Sequence, residues 1–241
     1  MSVEYVKNVM IDGDTNPYPG GAGAYESMVR TVLDTLKGTQ TGQTVLGFFA
    51  LRSHRVWIMP PDGLASRRTA GAGAVDASAA FPRGAELRDI DGSIDPQHRT
   101  GVGGGSDSRL HFHPIHWQNG AGGGFTTAEE VVVHEFFHAV RQVFGMLRNK
   151  PLGGDFLSME ELYSIFVENM YANEKGLALR NTHSARSSNV SPDHSMAHNP
   201  SFRDPMRELF AMMPAIGNAL ARVTSLYNPF RDWLQFSRAH P

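Results

Sequence analysis

The stretch Thr126-Thr127-Ala128-Glu129-Glu130-Val131-Val132-Val133-His134-Glu135-Phe136-Phe137-His138 sets the reading of the whole chain. Thr126-Thr127-Ala128-Glu129 has capping-box form, a hydroxyl residue with an acid close behind it, and this opens helices. Val131, Val132, Val133, Phe136, Phe137 and Val140 give the following segment apolar surroundings, and Asn149-Lys150-Pro151 marks its end. The pattern predicts a helix over about Thr127 to Leu147. On that helix His134 and His138 project from one face, one turn apart. Glu135 lies about 100° further round.

Two imidazoles so placed can reach one divalent ion at about 2.0–2.1 Å. Glu135 can then reach a water on the ion without being a ligand. The ion lowers the pKa of that water and the carboxylate takes its proton. This is the physical content of the HExxH signature. The competing expectation is a core helix whose two histidines bond to backbone carbonyls.

The chain has no cysteine, so thiolate ligands, disulfides and a cysteine nucleophile are excluded. A third ligand must be His, Asp or Glu. A second helix, expected from about Leu157 to Lys175 with Gly176 as its stop, offers Glu160 and Glu161. Glu160 is expected as the ligand, because Ser164 one turn on leaves room for a metal beside it. Glu161 is expected to accept a hydrogen bond from a ligand histidine. The competing expectation for the pair is a solvated helix N-terminus, where acids are favourable in any case.

HEFFH at 134–138, SMEELYSIF at 158–166 and ENMYANEKGLALRNTH at 168–183 together resemble the zincin metallopeptidases that take a glutamate as third ligand. Clostridial neurotoxin light chains and short bacterial type III effector proteases are the nearest in pattern. The resemblance spans about Thr126 to His183, with a weaker match over Ser106 to Pro114. It implies an α+β zincin-like metalloprotease domain, with one catalytic zinc ion held by His134, His138 and Glu160. It also implies hydrolysis of peptide bonds in a peptide or protein substrate, with Glu135 as general base and then acid to the leaving amine. Those families place an Arg-x-x-Tyr pair downstream to polarise the scissile carbonyl. Here the pair reads Arg180-Asn181-Thr182-His183, so Arg180 or His183 is the expected carbonyl stabiliser, with histidine in the place of tyrosine.

The rest of the chain is consistent with one zincin-like domain over 1–241. Tyr25 to Leu36 has helical apolar spacing, Val45 to Leu51 and Val56 to Met59 read as strands, and Arg109 to Phe112 as a further short strand. A small N-terminal sheet followed by helices gives the class α+β. Glycine-rich loops are expected over about 63–105 and 120–124, the runs Gly101 to Gly105 and Gly120 to Gly124 being candidate lids. Helical patterns near Arg203 to Met213 and Ala215 to Leu226 end the chain. Ser106 to Pro114 is expected as an edge strand open to an extended peptide. His111, His113 and His116 are candidates for a second metal site or a groove wall, beside the simpler reading as a polar strand face. His194 and His198 stand four apart, but in a Ser/Pro-rich segment.

A net charge of −2 supplies no basic field, so neither nucleic acid nor an anionic membrane is an expected partner. No basic segment followed by an apolar run opens the chain, so no standard signal peptide is visible. Nothing fixes an oligomeric state. The rival to an enzyme is a zinc-stabilised, catalytically inactive protein-binding module.

Overall fold

The computed structural model describes residues 2–62, 70–87, 100–117, 127–152, 156–182, 186–187 and 200–240. His183, the His194/His198 pair and the loop over 120–124 lie outside the described residues. The architecture is α+β. Its sheet is formed by β1 (Val3–Val6), β2 (Val9–Ile11), β3 (Val56–Met59), β4 (Gly71–Ala74) and β5 (Ser108–His111), in the order β1-β2-β3-β5-β4. β2, β3 and β5 run parallel, while β1 and β4 pair antiparallel at the two edges.

Alternation along the strands decides which face is buried. Val9, Ile11, Val56, Ile58 and Leu110 are fully buried and belong to one continuous apolar core. Their neighbours Glu4 and Arg109 are exposed, and Met10, Trp57 and His111 are half-buried. The helices that share this core are α1 (Gly21–Lys37), α2 (Gln40–Phe49) and α5 (Ala128–Val143), with the single turn α4 (Pro114–Trp117), while the single turn α3 (Ala77–Ala80) belongs to a smaller cluster with Phe81, Leu87 and Leu147. α6 (Met159–Glu174) packs along α5. β6 (Leu179–Arg180) and β7 (Arg186–Ser187) form a two-stranded ribbon, and α7 (Pro200–Met212), α8 (Pro214–Ala221) and α9 (Pro229–Ala239) complete the core. No helix among the described residues is long and apolar enough to cross a membrane.

Three local expectations give way. Val45 to Phe49 is helical, and Ala50-Leu51 forms the turn after it, so the segment is not extended. Thr39 caps α2 by accepting from the Gly42 N–H, and Glu174 at the far end of α6 accepts from Gln40 N (2.7 Å) and Thr41 N (2.9 Å). A carboxylate at a helix N-terminus satisfies two orphan donors and complements the dipole. Because it comes from distant sequence, it leaves no local signal. Gly42 permits the α1–α2 approach, since a Cβ there would collide with the Leu36 carbonyl. Secondly, part of the expected glycine-rich loop is the edge strand β4, and β5 is an interior strand. The third concerns Gly103 and Gly105, which are tied into the fold through their backbone N–H groups. They donate to Phe81 O and Ala79 O and pack against Gly145 just beyond α5.

Candidate metal centre

α5 begins at a capping box one residue later than the sequence pattern suggests. Thr127 accepts from Glu130 N, and the Glu130 carboxylate accepts from Thr127 N at 2.9 Å. The helix ends at Val143, two residues before Gly145, which has φ +69°. α6 is capped by Ser158, which accepts from Glu161 N. Both helices are buried almost all round, so both lie in the interior. Polar side chains on their shared face are therefore removed from water and must satisfy one another.

They do so around a tight group. His134 Nε2 lies 3.2 Å from His138 Nε2 and 3.2 Å from Glu161 Oε2, and His138 Nε2 lies 3.5 Å from Glu161 Oε1. Ligands bound tetrahedrally at ~2.0 Å stand about 3.3 Å apart, and these contacts, which run to both oxygens of Glu161, are of that size. His134, His138 and Glu161 form the one such group among the described residues, and all three are buried. The outer ring nitrogens also have partners. His134 Nδ1 is 3.1 Å from Glu168 Oε2, and His138 Nδ1 is 3.2 Å from Ser164 Oγ. Each imidazole thus has one nitrogen held from behind and the other turned inward.

Glu160, the residue expected as the third ligand, is turned elsewhere. Arg141 Nε donates to both its oxygens, at 2.7 and 2.9 Å, and the Arg148 backbone N–H donates to Oε1. Its nearer oxygen stays 3.9 Å from His138 Nδ1, behind the ring. Of the two glutamates, Glu161 is the one grouped with His134 and His138. The cause is Arg141, whose charged and buried side chain sits seven residues beyond His134 on the same helix face and draws the first glutamate to itself. Ser164 supports His138 rather than marking empty space beside Glu160.

Charge supports a cation at the centre. Glu135, Glu160, Glu161 and Glu168 are all buried, and among the described residues Arg141 and Arg180 are the buried cations that meet Glu160 and Glu168. Counted over these described side chains, with the histidines neutral, four carboxylates face two guanidiniums. Burial works to lower the His134 pKa, but hydrogen bonds with Glu161 and Glu168 outweigh it and raise the value above 6.5. For His138 burial again opposes, and the Glu161 charge with hydrogen bonds to Glu160 and Glu161 raises it well above 6.5. Protons on the histidines and a metal ion are thus alternative answers to the same buried negative charge.

Glu135 lies beside this group on the β4 side. Its Oε2 accepts from Ala72 N at 2.9 Å. Two turns along, Gln142 Nε2 donates to Ala72 O at 2.8 Å while its Oε1 accepts from Ser108 Oγ at 2.7 Å. The outward edge of β4 at Ala72 is thereby fastened to α5, and the Glu135 carboxylate is held by one oxygen.

Arg180 is fully buried and donates to Glu168 Oε2 at 2.7 Å. It stands on the Nδ1 side of His134, away from the inward-facing nitrogens. The structure does not bring His111, His113 and His116 together as a metal cluster among the described residues. His113 accepts from His116 N and packs on Tyr18. Sequence reasoning missed Arg141 and Glu168. Arg141 continues the His134/His138 face, and Glu161, Ser164 and Glu168 fall at i, i+3 and i+7 on α6. That second stripe was the available signal. Compared with known proteins, the chain matches no protein-family model and no curated protein sequence.

Proposed function

We propose that this protein is a zinc-dependent metallopeptidase with His134, His138 and Glu161 as metal ligands and Glu135 as general base. The observation that carries the proposal is the group of inward-facing atoms, His134 Nε2 3.2 Å from both His138 Nε2 and Glu161 Oε2 and His138 Nε2 3.5 Å from Glu161 Oε1, next to a carboxylate that is not part of it. Three protein ligands with a position left open are the usual form of a catalytic rather than a structural zinc site. When bound, zinc would supply the charge that acidifies a water and polarises a carbonyl.

The chain's own residues do the rest. Glu168 and Ser164 orient the two imidazoles from behind. Ala72 N–H holds Glu135 Oε2, and Oε1 accepts no hydrogen bond from the described residues, so it is the oxygen available to take a proton from the attacking water. The same carboxyl then delivers the proton to the departing amine, which makes Glu135 base and acid in turn. The helix-to-helix packing keeps bulk water from the ligands and strengthens these electrostatic interactions. A peptide or protein substrate is supported by the resemblance of 134–138 and 158–183 to zincin peptidases.

The test is metal analysis of the purified protein with a chelator-sensitive digest of a proteome-derived peptide mixture. The proposal expects one zinc per chain, lost in His134→Ala and His138→Ala, and cleavage that stops with chelator and returns with zinc. One observation favours a second reading, a zinc-stabilised binding module without turnover: Arg180 is committed to Glu168 rather than placed where a carbonyl would sit. Stoichiometric zinc with no cleavage of any peptide in the mixture would select that reading.

A further inference from the structure

Arg180 is built into its position. Asn169 Oδ1 accepts from Arg180 N at 2.7 Å and Asn169 Nδ2 donates to Arg180 O at 2.8 Å, a two-point clamp on the backbone of β6. The residue before the clamp, Glu168, receives the Arg180 guanidinium at 2.7 Å on the same oxygen that meets His134 Nδ1 at 3.1 Å. Neither Glu168 nor Arg180 has side-chain surface exposed to water. One turn of α6 therefore supplies both the carboxylate behind a ligand histidine and the clamp that sets the cation behind that carboxylate.

Resting on the metal-site reading above, we infer that Arg180 is a positioning residue of the metal centre. It acts through Glu168 to fix the ring and tautomer of His134, and it does not meet the substrate. A carboxylate oxygen held by a guanidinium cannot rotate away from Nδ1. With the proton on Nδ1, the lone pair of Nε2 points at Glu161 and His138, where an ion would sit. Partners behind a metal-bound histidine are worth roughly 10–100-fold in metal affinity. A residue that stabilised a carbonyl would instead act on turnover and leave affinity alone.

The experiment measures zinc and cobalt(II) affinity by chelator competition in the full chain, for wild type, Arg180→Met, Arg180→Lys, Glu168→Gln and the Arg180→Met/Glu168→Gln double variant. Cobalt absorption reports ligand geometry, and kcat and KM are measured with zinc saturating. Arg180→Met is expected to lose about 10–100-fold in affinity with a changed cobalt spectrum, and Arg180→Lys to recover part of the loss. The double variant should bind no worse than the weaker single one, because both changes break one relay. Wild-type affinity and spectrum in Arg180→Met, with kcat alone reduced, would overturn the inference and return Arg180 to the carbonyl. Additive losses in the double variant would overturn the route through Glu168. If Arg180→Met fails to fold, Arg180→Lys and Asn169→Ala carry the measurement, and unchanged affinity in both overturns the inference. Failure of the wild type itself to bind either metal defeats the function reading instead, a result separate from all of these.

Discussion

Adjacent glutamates on α6 with opposite duties should respond in opposite ways to the same change. Glu160→Gln removes the charge facing Arg141, whose side chain is 1% exposed and donates twice to that carboxylate. Breaking a buried ion pair from one side typically costs about 3–5 kcal/mol, because the remaining charge stays buried and uncompensated. Glutamine keeps one carbonyl oxygen for Arg141 and the Arg148 N–H, which places the cost at the lower end, about 3 kcal/mol. At roughly 2–4 °C per kcal/mol for a chain of this size, the metal-free protein should melt about 6–12 °C lower. Zinc should weaken moderately, since Glu160 lies behind His138. Glu161→Gln instead removes a proposed ligand and one of the buried carboxylates. Its metal-free form should lose less stability than Glu160→Gln does, while zinc retention collapses. Thermal unfolding with and without chelator, with metal analysis of the same samples, separates the two. Full zinc in Glu161→Gln, with zinc lost from a Glu160→Gln variant of unchanged metal-free stability, would refute the assignment.

Two further outcomes follow from the same contacts. The folded chain raises the proton affinity of His134 and His138 above the ordinary 6.5, so their protons stabilise the metal-free fold below that pH and the stabilisation is lost as pH rises through the raised values. Metal-free Tm should therefore fall as pH rises above about 6.5, while the increment produced by added zinc should grow. An increment that shrinks with rising pH contradicts the account. Gln142→Ala should cost about 1–3 kcal/mol in urea unfolding, because Ser108 Oγ and Ala72 O lose a partner in the interior. A loss below about 0.5 kcal/mol would mean that β4 is not fastened to α5 through this side chain.

Much of this was legible from local pattern. The cap, the apolar surround and the i, i+4 histidines gave α5, and the acidic start of α6 gave its partner. What escaped was whatever depended on the two helices meeting. Glu160 and Glu161 look alike in sequence, and only Arg141, on the other helix, tells them apart. α2 looked like a strand because a short apolar run has no decisive period and its N-terminal carboxylate comes from Glu174. β4, with the sequence Gly-Ala-Gly-Ala, carries no strand propensity and exists because β5 and the side chains of Glu135 and Gln142 complete its backbone hydrogen bonds.

The central claim is that Glu135 moves the proton at a site whose metal it does not hold. Glu135→Gln keeps the side chain's shape and its carbonyl oxygen for Ala72 N–H, and removes only the proton acceptor. The decisive measurement is zinc content and peptide-cleavage rate on the same preparation of that variant, with a substrate cut by the wild type. The account predicts one zinc per chain and a rate lower by about 10²–10⁴-fold. A variant that cleaves at the wild-type rate, or that has lost its zinc, would contradict it.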